Sequence, residues 1–169
     1  MTQNYTRILE DILKTARIFA AGNGYDYAET SHILAGMLSS NDSFGQNILT
    51  DHDVTIETVL DEIEQHQLPD QTKAVQAIQF SPKVEQLLFE ADALAAQNHL
   101  AETGSEHLLY VMLTDDDNVA KKILELHKIK IAEILKDLIE LGNMNVKKIA
   151  KKAVTPMGKR DIASGVSAT

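Results

Sequence analysis

Thr30-Ser31-His32-Ile33-Leu34-Ala35-Gly36-Met37-Leu38 returns, seventy-five positions on, as Ser105-Glu106-His107-Leu108-Leu109-Tyr110-Val111-Met112-Leu113. Each copy opens on a hydroxyl residue able to cap a helix start and runs into apolar residues that close on Met-Leu. Both stretches therefore read as buried helices, and they are the candidate cores of the fold.

The same shift governs most of the chain. Laid over residues 80–138 without a gap, residues 5–63 pair Glu10 with Glu85, Leu13 with Leu88, Ala16 with Ala91, Ala20 with Ala95 and Asn23 with Asn98. Further on, Asp42 meets Asp117, Ile48 and Leu49 meet Ile123 and Leu124, His52 meets His127, and Leu60 meets Leu135. Most of these residues are small or apolar at helical spacing, as a duplicated packing solution would keep. Two long copies predict a pseudo-symmetric pair of helical units rather than a solenoid of many short ones.

Within the first unit, Leu9, Ile12, Leu13, Ala16, Phe19 and Ala20 form an amphipathic stripe that Gly22-Asn23-Gly24 ends. Residues 25–29 read as a loop ahead of the Thr30 helix. Asp42 or Ser43 can cap a third helix carrying Phe44, Ile48 and Leu49, and a fourth begins near Thr55. A polar connector spans 65–79, with room for one helical turn near Ala74–Ile78. Ser81 caps the next helix with Pro82 at its first position. Helices from about Ser105, Asp117 and Lys130 complete the second unit, which Gly142 stops. The expectation is all-α: eight helices and no strand, in a pseudo-twofold tandem of two four-helix units. Repeat 1 covers about 5–64 and repeat 2 about 80–142, so the domain is 1–142. Residues 143–169 hold Lys147, Lys148, Lys151, Lys152, Lys159 and Arg160 and read as a basic linker or flexible tail.

The composition narrows the function classes. With no Cys, disulfides and thiolate metal sites are excluded, and the usage suits a reducing cytoplasm, where the chain is expected. No apolar run reaches the roughly 18 residues a bilayer span needs. A net charge of −9 repels phosphate backbones, which argues against nucleic acid as a general partner and favours cationic ligands such as basic stretches of other proteins.

At the paired helices the chain resembles a known family. The doubled pattern, the openings Tyr5-Thr6 and Phe80-Ser81, and the Thr-Ser-His-Ile-Leu and Ser-Glu-His-Leu-Leu motifs look like the Clp N-terminal repeat domain, and are most similar to the ClpC class of Clp unfoldases. The resemblance covers about residues 4–142. It implies a non-catalytic module tethered ahead of ATPase rings, which receives adaptor proteins and unfolded or marked substrates for degradation by a partner peptidase. It also implies recognition of phosphorylated arginine at one pocket per repeat. The family pocket uses a hydroxyl at the start of the first helix and a glutamate just before the His. In the second repeat these are Ser81 and Glu106. In the first they are Thr6 and Ser31, so the glutamate is missing there. A carboxylate grips a guanidinium through charge-assisted hydrogen bonds and a serine hydroxyl does not, so the second pocket is expected to bind more tightly. Tyr5 and Phe80 are candidates for an adaptor- or substrate-binding surface, with core packing as the competing role. A free-standing binding protein that shares Clp adaptors or ligands without an ATPase ring is the alternative reading.

Other motifs point to no chemistry of their own. There is no Gly-x-x-x-x-Gly-Lys-Ser/Thr loop, and no cofactor is expected. His32 and His107, like His52 and His127, fall at equivalent places, which the repeat explains without a metal. Asp115-Asp116-Asp117 lacks the spacing of a calcium loop and reads as a solvated helix cap. Met37 and Met112 read as core.

Overall fold

In the computed structural model, residues 4–66 and 74–146 are described. Two features of the fold position the site: how each helix starts, and which repeat supplies its neighbours.

Eight α-helices are present among the described residues. They are α1 Arg7–Gly22, α2 Thr30–Ser39, α3 Phe44–Asp51, α4 Ile56–Gln65, α5 Pro82–Gln97, α6 Ser105–Thr114, α7 Val119–Leu126 and α8 Ile131–Leu141. A 3-10 turn at Val75–Ala77 falls where the sequence leaves room for one. Ser43 and Ser81 cap α3 and α5 as read from the sequence, and Thr6 and Thr55 cap α1 and α4 in the same way. The Thr6, Ser43, Thr55 and Ser81 hydroxyls accept from the backbone N–H three residues on, satisfying a donor that the helix leaves free. The α7 cap is Asn118, whose side chain accepts from Lys121 N, rather than the preceding acidic run. Asp115 instead receives Lys83 and the Asn118 amide.

The candidate cores are confirmed. Every residue of α2 from Thr30 to Leu38 is buried, and all of α6 is buried except Glu106, Tyr110 and Thr114. Leu9, Ile12, Ile33, Leu34 and Met37 from the first repeat share one apolar cluster with Leu87, Leu108, Leu109 and Met112 from the second. The repeats are therefore two halves of one core. Gly36 permits close approach of α1 and α2, because a Cβ there would lie 2.7 Å from the Ile12 carbonyl oxygen.

The expectation of no strand needs correction. Two-residue strands β1 Asn4–Tyr5, β2 Tyr27–Ala28, β3 Gln79–Phe80 and β4 Glu102–Thr103 form two parallel pairs, and β2 lies in the stretch read as a loop. β1 pairs with β4, with Tyr5 opposite Thr103, and β2 pairs with β3, with Ala28 opposite Phe80. Strands this short carry no alternating pattern, so periodicity could not reveal them. Each pair takes one strand from each repeat.

A second correction concerns Thr30 and Ser105, which do not cap their own helices. Glu29 and Gly104 occupy those positions, and their backbone N–H groups donate to His32 Nδ1 and His107 Nδ1, both at 2.9 Å. The two hydroxyls reach across the pseudo-twofold instead. Thr30 Oγ1 accepts from Ala120 N at 2.9 Å in the first turn of α7, and Ser105 Oγ accepts from Gly45 N at 3.0 Å in the first turn of α3. α2 accordingly packs on α7, and α3 on α6.

The folded body continues past Gly142. Asn143 adopts a left-handed conformation (φ 54°), Met144 is buried, and Asn145 exchanges backbone hydrogen bonds with the Asn98 side chain. The basic tail from Lys147 onward, and residues 67–73 of the polar connector, lie outside the described residues.

Candidate recognition site

Each parallel strand pair runs directly into two helix N-termini. β1 leads through Thr6 into α1 while β4 leads through Gly104 into α6, and Thr6 N donates to the Thr103 carbonyl at 2.9 Å. β2 leads through Glu29 into α2 while β3 leads through Ser81 into α5, and Ser81 N donates to the Ala28 carbonyl at 3.1 Å. Two helix starts laid side by side combine their free N–H groups and the positive ends of their dipoles, an arrangement suited to anionic groups.

This topology regroups the four residues singled out from the sequence. Ser81 and Glu106 belong to different strand pairs, as do Thr6 and Ser31. Thr6 stands at the start that also carries Glu106, and Ser81 at the start that carries Ser31 and Glu29. Each candidate site is thus built from both repeats, and the within-repeat pockets expected from the sequence are not what the backbone assembles. Sequence order cannot show this, because the exchange depends on strands without a recognisable pattern.

The two sites differ in where the carboxylate comes from. Glu106 sits in the first turn of α6 and folds back over Gly104, so that a Cβ added to Gly104 would lie 2.5 Å from Glu106 Oε1. In the first repeat Glu29 takes the place of Gly104, and Ser31 takes the place of Glu106. A carboxylate therefore stands at both helix starts, displaced by two residues. The absence of a side chain at position 104 makes room for Glu106. Glu29, which the sequence reading passed over, marks that displacement in the repeat alignment.

Buried histidines fix both starts. The backbone N–H bond to Nδ1 requires a neutral ring with its proton on Nε2. Burial pushes the His32 pKa down to about 4, and burial lowers that of His107 against an upward pull from Glu106. His32 Nε2 is the buried side-chain polar atom without a hydrogen-bond partner among the described residues, and the Tyr25 ring stands edge-on to it with centroids 4.4 Å apart. Tyr25 is itself held by a 2.9 Å bond from its hydroxyl to the Ile63 carbonyl.

Tyr5 and Phe80 are half-buried and pack against the core while bordering the two starts in β1 and β3. Burial raises the Tyr5 phenol pKa, and the Asp92 charge adds to the rise. The second histidine pair also crosses the repeats. His52 Nε2 lies 2.7 Å from Asp137 and His127 Nε2 lies 3.5 Å from Glu62, and Glu62 and Asp137 are themselves equivalent under the seventy-five-residue shift. Among the described residues no group of three or more His, Asp or Glu side chains is placed to hold a metal ion.

Comparison with known proteins agrees with this architecture. The model of the Clp repeat (R) N-terminal domain matches residues 4–127 and again 79–161, two starts separated by the internal repeat's own shift. A probable ATP-dependent Clp protease ATP-binding subunit from Chlamydia pneumoniae is 26% identical over 150 residues, which are 86% of this chain and 18% of that protein, so the chain spans under a fifth of that relative. The N-terminal domain of the Clp-associated chaperone ClpD from Arabidopsis thaliana superposes with a TM-score of 0.68 at 14% identity, covering 82% of this chain and 96% of that one. A ClpV N-domain in complex with VipB peptide superposes with a TM-score of 0.63 at 21% identity, covering 80% and 85%. With its tandem units matched in register by the family model and its fold shared with Clp N-domains, the chain belongs to the Clp repeat N-terminal domain family.

Proposed function

We propose that the chain is a substrate- and adaptor-recognition domain of a Clp-type ATP-dependent unfoldase, without catalysis of its own, and that it recognises proteins marked by phosphorylated arginine. The observation that carries the proposal is the pairing of two helix N-termini at the β1–β4 strand pair, with the Thr6 hydroxyl on one and the Glu106 carboxylate on the other. A phosphorylated guanidinium presents both charges at once. Its phosphoryl oxygens suit the free N–H groups and dipoles of helix starts, and its remaining N–H groups suit a carboxylate. Peptide binding by the structurally similar ClpV N-domain supports a recognition role for the fold.

The β1–β4 site is the stronger of the two, because Glu106 projects from inside the helix while Glu29 sits at the cap beside Ser31. A simple Ser31→Glu change would crowd two carboxylates at one start, so the gain-of-function variant is the exchange Glu29→Gly with Ser31→Glu. Binding of an unfolded protein carrying phosphoarginine is measured against the same protein unmodified. Selective binding, weakened about tenfold or more by Glu106→Ala and strengthened by the exchange, is expected from loss or gain of a charge-assisted pair. Equal binding of marked and unmarked protein, or indifference to Glu106, overturns the phosphoarginine assignment.

A further inference from the structure

We infer that an apolar groove where the two repeats meet, bounded by α4 of the first and the start of α7 of the second, takes a methionine- or leucine-like side chain flanked by basic residues from a partner polypeptide. The inference deepens the receptor reading and rests on it. The groove encloses about 350 Å³, with Tyr25, Ile63, Val119 and Ile123 as its apolar lining and Glu29 and Glu62 among its polar residues. Val119, at the first position of α7, is 44% exposed, a large apolar side chain left open at the groove.

The chain supplies the argument for what fits. Under the internal repeat, Ile63 corresponds to Leu138, Val119 to Phe44, and the end of α4 to the end of α8. At that counterpart place the protein inserts its own Met144, which is only 7% exposed. Its Cε and Phe44 Cζ both lie 3.5 Å from where a Cβ on Gly142 would stand, and the hydrogen bonds of Asn145 to Asn98 hold this segment in place. An unbranched thioether chain adapts to irregular apolar gaps, so Met144 shows the shape and polarity that this kind of groove accepts. The two places differ in charge. Glu29 faces the first groove where Gly104 stands at the second, and Glu62 matches Asp137. With two carboxylates at the groove of a chain carrying net charge −9, a flanking lysine or arginine is favoured over an acidic residue.

The test uses the full chain, titrated with short capped peptides containing Lys-Met-Lys, Lys-Ser-Lys or Asp-Met-Asp and followed by methyl and amide NMR shifts. The Lys-Met-Lys peptide is expected to move Ile63, Val119 and Ile123 and to bind about tenfold or more tightly than the other two. Val119→Lys should lose that binding by about tenfold, while Phe89→Lys, on an exposed site of α5, leaves it unchanged, with thermal unfolding confirming that both variants fold. Shifts confined to the Thr6 or Ser81 helix starts, or binding insensitive to Val119→Lys, overturn the groove and leave the receptor reading standing. So does failure to bind the peptide while phosphoarginine-bearing protein still binds. A chain that binds neither overturns both. Concentration-dependent shifts at Val119 without peptide would show a second copy in the groove and overturn the assignment.

Discussion

His32 illustrates how one residue serves the fold by staying uncharged. Its Nδ1 accepts the Glu29 N–H at the start of α2, and burial holds its pKa at about 4 against 6.5 when free. The folded state therefore resists protonation that the unfolded chain accepts. Stability from this residue is fully present above pH 6.5 and is lost as pH falls through the window from 6.5 to about 4, amounting to about 3 kcal/mol when complete. His107 acts in the same direction at the start of α6. Denaturant unfolding measured between pH 7.5 and 4.5 should show stability falling with pH. A His32→Gln variant is expected to be less stable at pH 7.5 by roughly 1–3 kcal/mol, and to have a flatter profile. An unchanged slope would mean that His32 titrates normally. The histidine pair was visible in the repeat, but its role as a cap acceptor was not, because the residues at the cap positions, Glu29 and Gly104, share no chemistry.

At the scale of elements, the starts of α2 and α6 each serve a helix of the opposite repeat. Thr6, Ser43, Thr55 and Ser81 cap their own helices, and of these Ser43 and Ser81 were legible as caps ahead of apolar stripes. Thr30 and Ser105 look the same in sequence but donate their capping capacity to α7 and α3 of the opposite repeat. Local pattern reports that a hydroxyl can accept a backbone N–H and is silent on whose N–H it will be. Thr30→Val and Ser105→Ala each leave a buried donor unpaired, and each is expected to cost about 1–2 kcal/mol in urea unfolding with the denaturant slope unchanged. Cost at only one of the two positions would show that the cross-repeat caps are not equivalent.

Across the whole molecule, the strand pairs, the hydroxyl caps, the two histidine–carboxylate pairs and the apolar core all cross from one repeat to the other. Eight helices, their order and the repeat itself were readable from periodicity and the seventy-five-residue shift. The exchange between repeats was not, since it is encoded in four two-residue strands and in side chains whose partners lie far away in sequence. A chain divided in the connector, into residues 1–73 and 74–169, is therefore expected to yield two fragments that are unfolded alone and regain helical circular dichroism on mixing. A fragment that folds independently would contradict the shared core.

The same exchange decides the composition of the candidate sites, and a double-mutant cycle on phosphoarginine binding tests it most directly. Calorimetric titration of the full chain is compared for wild type, Glu106→Gln, Thr6→Ala, Ser81→Ala and the two doubles that contain Glu106→Gln. Glu106 and Thr6 share one pair of helix starts, so their effects are predicted to be non-additive by about 0.5 kcal/mol or more, while Glu106 and Ser81 add independently. Coupling of Glu106 to Ser81 in place of Thr6 would contradict a site assembled across the two repeats.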